Sequence, residues 1–233
     1  MSVRRTLAGI VGDLGPLAVS RKTGHEQFHS GEISLDFNLL DFWQWSASDL
    51  VSNATRGILA EYIVARAIGA ETDGLRNEWA AYDLTSSSGI RVEVKSAAYL
   101  QSWCQQKFST ISFVVRPTRG WDRETGKMAG VQERQAIVYV FALLACRDKS
   151  EVNPLDVRQW EFFVVPTQAL NARKRSQPSI TLKSLLALAA GPITYAGLAE
   201  AVQRAAIENA RFRGKHPTPA KEGGPRVGGD SDS

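Results

Sequence analysis

The sequence contains few residues of the kinds that form disulfides or bind zinc. Cys104 and Cys146 are the only cysteines in 233 residues, and two such thiols in apolar or strand-like surroundings do not make a disulfide framework. A reducing cytoplasm is therefore the simplest location. The three histidines, His25, His29 and His216, are scattered, which argues against a structural zinc site.

Long hydrophobic runs are also missing, and no stretch approaches the length of a membrane span. The segment VRRTLAGIVGDLGPLAV near the N-terminus places two arginines before a mildly apolar stretch. Asp13, several glycines and a proline interrupt that stretch, so we do not interpret it as a secretion signal.

The composition that is present indicates a globular protein. Hydrophobic residues make up 43% and charged residues 22% of the chain, and 233 residues suffice for one domain with a sizeable core. The formal net charge is +4 and the isoelectric point about 9.2. This charge permits a polyanionic partner such as nucleic acid without requiring one.

The chain divides into three predicted parts. Residues 1–34 show little periodicity and predict an irregular N-terminal arm. Residues 35–212 carry the apolar residues and are expected to form a single domain. Residues 213–233 are rich in Gly, Pro and Ser, which predicts a disordered tail.

Periodicity within the domain predicts one helix followed by strands and further helices. The segment 53–69 has Ile58, Tyr62, Ala65 and Ile68 at helical spacing, Asn53 as a candidate cap and Gly69 as a terminator. A polar loop is expected over 117–135 and an amphipathic helix over 194–212. The predicted strands are 79–84, 90–97, 111–116, 136–145 and 160–165. This order indicates an α/β (α+β) fold with a mixed sheet of about five strands flanked by helices.

The stretch YDLTSSSGIRVEVKS, residues 82–96, contains the residues with the clearest chemical potential. Side chains alternate along a strand, so Arg91, Glu93 and Lys95 share one face while the apolar residues between them face the core. A hairpin centred near Ser87 would place Asp83 opposite Arg91 and diagonal to Glu93. A slip of one residue would turn Asp83 away.

Two carboxylates that converge at a strand pair can bind a hard divalent cation such as Mg²⁺, which prefers oxygen ligands. A lysine beside them can orient water and neutralise charge that develops on a phosphate. Asp83, Glu93 and Lys95 are therefore candidates for phosphodiester hydrolysis.

Glu61 is a further candidate, because it lies on the predicted helix among small and apolar residues. No basic side chain stands three or four residues away, so its carboxylate needs a partner from elsewhere in the fold.

These residues together resemble the PD-(D/E)XK, or restriction-endonuclease-like, nuclease superfamily. The resemblance covers about residues 53–145, with Tyr82 in place of the proline that names the motif. It implies that Asp83, Glu93, the Val94 backbone carbonyl and in some members Glu61 bind Mg²⁺, with Mn²⁺ as a substitute. It also implies a restriction-endonuclease-like core, a catalytic Lys95, and cleavage, most naturally of DNA, that leaves 5′-phosphate ends.

Two basic groups are candidate nucleic-acid contacts, and both have a simple alternative as solvated surface. Arg119 and Arg123 lie in the polar segment 117–135, and Arg173, Lys174 and Arg175 are consecutive.

Other functions also remain open from the sequence. The acid-x-lysine pair could be the solvated face of a surface strand. The chain could be a non-catalytic nucleic-acid-binding protein that keeps a nuclease-like fold, or an interaction domain whose acids do not converge. A homodimer would suit cleavage of both strands of a duplex.

Overall fold

A computed structural model describes residue 15 and residues 17–122, 125–173 and 178–215 of the chain. It has the mixed α+β composition that the sequence predicts. The strands in chain order are β1 Gln27–Ser30, β2 Ile33–Asn38, β3 Leu84–Thr85, β4 Arg91–Ala98, β5 Ser112–Val114, β6 Thr118–Asp122, β7 Lys127–Glu133, β8 Val138–Leu144, β9 Trp160–Pro166 and β10 Ser179–Thr181. The α-helices are α1 Leu39–Ala47, α2 Asn53–Ala67, α3 Thr167–Asn171, α4 Leu182–Leu186 and α5 Leu198–Lys215.

The central sheet has four strands in the order β3-β4-β8-β9. Strand β4 is antiparallel to β3 and parallel to β8, and β8 is antiparallel to β9. All seven residues of β8 are buried, which confirms the expectation of a strand covered on both faces. The predicted strand over 111–116 does not join this sheet, because β5 pairs with β10 instead.

Each face of the central sheet packs against a different layer. On one face α2 and α5 cover the strands, with Val64, Val92, Val140 and Val202 in one apolar cluster. The other face supports a cluster that β5, β10 and the short helices α3 and α4 complete, including Phe113, Phe141, Phe163, Leu170, Ile180 and Leu185. The sheet is thus held between two apolar layers, which fixes the position of its polar edge.

Helix α2 begins and ends close to its predicted limits. Its cap is Ser52, whose hydroxyl accepts a hydrogen bond from the Thr55 N–H, rather than Asn53. Gly69 follows the helix with φ of +63°, a conformation in which glycine carries no Cβ penalty.

The buried face of α2 coincides only in part with the predicted one. Of the four residues at helical spacing, Ala65 and Ile68 are buried as predicted, whereas Ile58 and Tyr62 are exposed. The residues buried against the sheet also include Ala60, Ile63 and Val64. Contact with the sheet and α5, which local spacing does not encode, decides which residues of the helix are buried.

Three segments differ from their predicted states. Residues 27–34 fall in the predicted irregular arm, but they belong to the β1–β2 hairpin, with Gly31 at φ +64° between the strands. The predicted loop 117–135 contains the β6–β7 hairpin, with Gly126 at φ +63° beside β7. The predicted strand 79–84 is reduced to β3, because only Leu84 and Thr85 pair with β4.

The predicted disordered tail begins inside α5, which extends through residue 215, and residues 216–233 lie outside the described part of the chain. None of the helices within the described ranges has both the length and the apolar character that a membrane crossing needs.

Candidate functional site

The candidate site lies where β3 ends beside β4. Alternation along β4 leaves Arg91, Glu93 and Lys95 partly exposed on one face, while Val92 and Val94 are buried on the other. This confirms the predicted division of the strand into a polar and an apolar face.

Asp83 lies across from Glu93 rather than diagonal to it. The pairs Leu84–Val92 and Thr85–Arg91 define the register, and one further step places Asp83 opposite Glu93. The pairings, including the Ser86 N–H to the Ile90 carbonyl, centre the hairpin on Ser88 instead of Ser87. A centre displaced by one residue changes the partner of Asp83 by two residues. A shift of two residues keeps Asp83 on the same face, whereas a shift of one would not.

The Asp83 carboxylate accepts the hydrogen bond that a backbone carbonyl would accept if β3 continued further along β4. Its Oδ2 accepts a hydrogen bond of 2.7 Å from the Val94 N–H, just beyond the last pair of β3 with β4. The Ile137 N–H donates to the Arg91 carbonyl, so odd-numbered residues of β4 direct their backbone toward β8. Val94 therefore directs its carbonyl toward the edge where Asp83 lies.

The environment of Asp83 favours its protonated form. Burial and the charge of Glu93 raise the pKa of Asp83 to about 7, with a smaller contribution from Glu61, while Lys95 and the Val94 N–H act in the opposite direction. Two carboxylates facing each other in a half-buried place repel, and one of them consequently holds its proton more tightly.

Lys95 is bound to the neighbouring acid of its own strand. Its Nζ donates to Glu93 Oε1 at 2.5 Å, and both side chains are half-buried. This pair is the acid-x-lysine arrangement that the strand periodicity predicts.

Glu61 obtains its partner from outside its helix, as the sequence requires, and that partner is Arg76. The Arg76 Nε donates to Glu61 Oε2 at 2.6 Å and Nη2 donates to Oε1 at 3.0 Å, which is a bidentate arrangement. Sequence reasoning missed Arg76, because it lies 15 residues away in an irregular segment without a motif. The unpaired acid on α2 was the only local signal.

A buried tyrosine on β8 also adjoins the acids. Tyr139 is paired in register with Glu93 and is almost fully buried. Burial first, and then the charge of Glu93, raise the pKa of the Tyr139 hydroxyl. Only the pairing of β4 with β8 reveals this neighbour.

The described residues contain no group of three or more acidic, histidine or cysteine side chains arranged to hold one metal ion. Two carboxylates, Asp83 and Glu93, and the Val94 carbonyl remain as oxygen donors at the strand edge. Glu61 is instead engaged by Arg76.

The predicted basic contacts are only partly within the described chain. Arg119 is exposed on β6, and Arg173 donates from Nη1 to the Ser179 carbonyl at 3.3 Å. Arg123, Lys174 and Arg175 lie outside the described residues.

Arg134 links Arg173 to the neighbourhood of the acids. It donates to the Val115 carbonyl at 2.8 Å. Burial first, and then the nearby charge of Arg173, lower the pKa of Arg134, while the ionised form of Tyr139 would raise it. Arg134 thus lies near both Arg173 and the tyrosine that adjoins Glu93.

A comparison with protein families gives one match. The family model described as bacteriophage T4 endonuclease IV matches residues 35–184, well over half of the chain. The matched range contains Glu61, Asp83, Glu93 and Lys95. No curated protein matches the chain.

Proposed function

The chain belongs to the bacteriophage T4 endonuclease IV family, and from that premise we propose that it is a metal-dependent nuclease that hydrolyses phosphodiester bonds in DNA. The observation that carries the metal-dependent part of the proposal is the placement of Asp83 opposite Glu93, with Lys95 on the same face. Their order along the chain also supports a site of the PD-(D/E)XK kind.

The oxygen donors at the strand edge fit a hard divalent cation. Asp83 and Glu93 would hold Mg²⁺, or Mn²⁺ in its place, together with the Val94 carbonyl. Burial first, and then the charge of Glu93, raise the pKa of Asp83, and a cation held between the two carboxylates would relieve their repulsion. Two protein carboxylates are typical for Mg²⁺, which keeps several waters. When bound, the cation supplies Lewis acidity toward a phosphate oxygen and toward water.

The protein groups around the donors would carry out the remaining tasks. Lys95 would hold the attacking water in line with the phosphorus through its ammonium, and Glu93 fixes the position of that ammonium through their 2.5 Å contact. Glu61 would add negative charge beside Asp83. The water oxygen forms the new bond to phosphorus, the bond from phosphorus to the 3′ oxygen breaks, and the products are a 3′-hydroxyl and a 5′-phosphate.

The test is cleavage of a mixed panel of linear, nicked, branched and single-stranded DNA with Mg²⁺, Mn²⁺ or EDTA. Wild type is compared with Lys95→Ala and with Lys107→Ala, which removes an exposed lysine outside the site. We expect metal-dependent cutting that Lys95→Ala reduces by about 100-fold or more and that Lys107→Ala leaves unchanged.

Equal cutting by wild type and Lys95→Ala would contradict the proposed site. Binding of DNA without cutting under every metal condition would instead support a non-catalytic nucleic-acid-binding protein.

A further inference from the structure

Within the described part of the chain, Arg76 is the one cation paired with an acid of the candidate site that the proposed mechanism does not use. It lies in the irregular segment of residues 70–83, which joins α2 to β3. The same segment ends in Asp83, so one stretch of chain positions both the candidate metal ligand and the arginine. We propose that Arg76 binds the phosphate at the bond that is cut, an inference that rests on the proposed nuclease function.

The hydrogen bonds of Arg76 leave part of its guanidinium available. Nε and Nη2 bind Glu61, while Nη1 has no hydrogen-bond partner among the described residues. Arginine presents its donors in a planar fork that matches carboxylate and phosphate oxygens. With one edge held by Glu61, Nη1 is the donor that can reach a ligand.

The exposure of the pair indicates which member faces a ligand. The Glu61 side chain is 15% exposed, and that of Arg76 is 42% exposed. Neutralisation of the Glu61 carboxylate does not by itself require an exposed arginine side chain. Arg76 is thus the member of the pair that is more accessible to a polyanion from solvent.

The ionised acids of the site outnumber its two cations, so each cation matters for holding an anion. Glu61, Asp83 and Glu93 carry three negative charges when ionised, against two positive charges on Arg76 and Lys95. The charges of Asp83 and Glu78 also act on Arg76, after its hydrogen bond with Glu61, and together they raise its pKa. Arg76 therefore stays charged, and its removal would leave the acids to repel the phosphate.

Lys95 cannot bind the phosphate without leaving the position in which it would hold the attacking water. Its ammonium is bound to Glu93, where the proposed mechanism needs it for water. Arg76 belongs to a different segment and acts on Glu61 and Asp83, so the two cations can serve the phosphate and the water separately.

The first test compares wild type, Arg76→Ala, Arg76→Lys and a matched control on the DNA that wild type cuts. The control is Arg66→Ala, since Arg66 is an exposed arginine on α2 that binds Thr72 of the same segment. We expect Arg76→Ala to lower kcat by about 100-fold or more and Arg66→Ala to change it by less than about threefold. Arg76→Lys should retain an intermediate rate, because it keeps charge but not the fork.

A second readout separates phosphate binding from a purely structural contact. Free guanidinium ion at low concentration should restore part of the lost rate to Arg76→Ala and none to Lys95→Ala. If Arg76 only braces Glu61, then Glu61→Gln should cause the same loss as Arg76→Ala, and guanidinium should restore neither. That pattern, or cutting by Arg76→Ala within threefold of wild type, would overturn the inference.

A binding measurement keeps the inference testable apart from activity. The logarithm of DNA affinity is plotted against the logarithm of salt concentration in EDTA, and one lost phosphate contact should reduce the slope by about 0.7–0.9 for Arg76→Ala. If wild type cuts no DNA at all, the nuclease proposal fails. An unchanged slope for Arg76→Ala would then overturn the phosphate contact as well, whereas a reduced slope would support it.

Discussion

Asp83 and Glu93 face each other across the end of the β3–β4 pair, with the Asp83 carboxylate bound to the Val94 N–H at 2.7 Å. This relationship places like charges together where burial strengthens their repulsion. Burial first, and then the charge of Glu93, raise the pKa of Asp83 to about 7. The same arrangement gathers the oxygen donors of the candidate metal site.

Asp83→Asn is expected to stabilise the metal-free protein at alkaline pH. The folded-state pKa of about 7 lies above the ordinary value of 3.8. The stabilisation from the bound proton is therefore complete below about pH 4 and lost as pH rises through 7. Above pH 7 the charge costs on the order of 2–4 kcal/mol. The asparagine carries no charge and can still accept the Val94 N–H.

The measurement is urea unfolding in EDTA at pH 5 and pH 8. The advantage of Asp83→Asn over wild type should be larger at pH 8. Asp156→Asn is the control, because its hydrogen bond with Arg158 lowers the pKa of Asp156 to about 2, so its effect should be the same at both pH values. Parallel pH profiles for Asp83→Asn and wild type would contradict the assigned pKa shift.

Mg²⁺ is expected to raise the melting temperature of wild type and not that of Glu93→Gln. A ligand at one hundred times its Kd stabilises a folded protein by about 2.7 kcal/mol. Glu93→Gln removes a charged donor and also the partner of Lys95, which leaves the site with too little negative charge for the ion. Thermal unfolding with increasing MgCl₂ measures this, and Asp156→Asn should respond as wild type does. An equal Mg²⁺ response of Glu93→Gln would place the ion elsewhere.

Arg173→Ala is expected to weaken DNA binding similarly for all sequences. A phosphate contact carries no sequence information, and its loss should reduce the slope of log affinity against log salt by about 0.7–0.9. Fluorescence anisotropy at several salt concentrations measures the slope. Arg204→Ala is the control, since Arg204 pairs with Glu200 on α5. Helix α5 packs against the face of the central sheet opposite to the one that α3 and β10 cover. Equal slopes for the two variants would exclude a specific phosphate contact by Arg173.

Gly69→Ala and Gly57→Ala are expected to have opposite effects on stability. Gly69 has φ of +63°, and an added Cβ would lie 3.2 Å from the Ser87 hydroxyl in the turn between β3 and β4. We expect a loss of about 1–2 kcal/mol. Gly57 lies inside α2, with nothing within 4 Å of an added Cβ, so alanine should stabilise by about 0.5–1 kcal/mol.

Urea unfolding measures both glycine variants. A destabilised Gly69→Ala should also lose cleavage activity beyond its loss of folded protein, because the same turn sets the register of Asp83. A stabilising effect of Gly69→Ala would contradict the strained contact at the turn.

Much of the site could be predicted from short stretches of sequence. Period-two alternation is contained within a few residues, so it placed Glu93 and Lys95 on one face of a strand and Val92 and Val94 on the other. The continuous apolar run of residues 136–145 similarly predicted the buried strand β8. The absence of a local partner for Glu61 correctly indicated a distant one.

Other features depend on contacts between distant segments. The turn beyond β3 decided that Asp83 faces Glu93 and not Arg91. Packing against the sheet selected the buried face of α2, and pairing of β4 with β8 brought Tyr139 beside Glu93.

The sequence alone thus determined which side chains alternate into and out of the core, because that information is local and periodic. Only the tertiary structure decided the register of Asp83, the pairing of Glu61 with Arg76 and the raised pKa of Asp83. Those properties arise from strand pairing, burial and charges that residues far apart in sequence bring together.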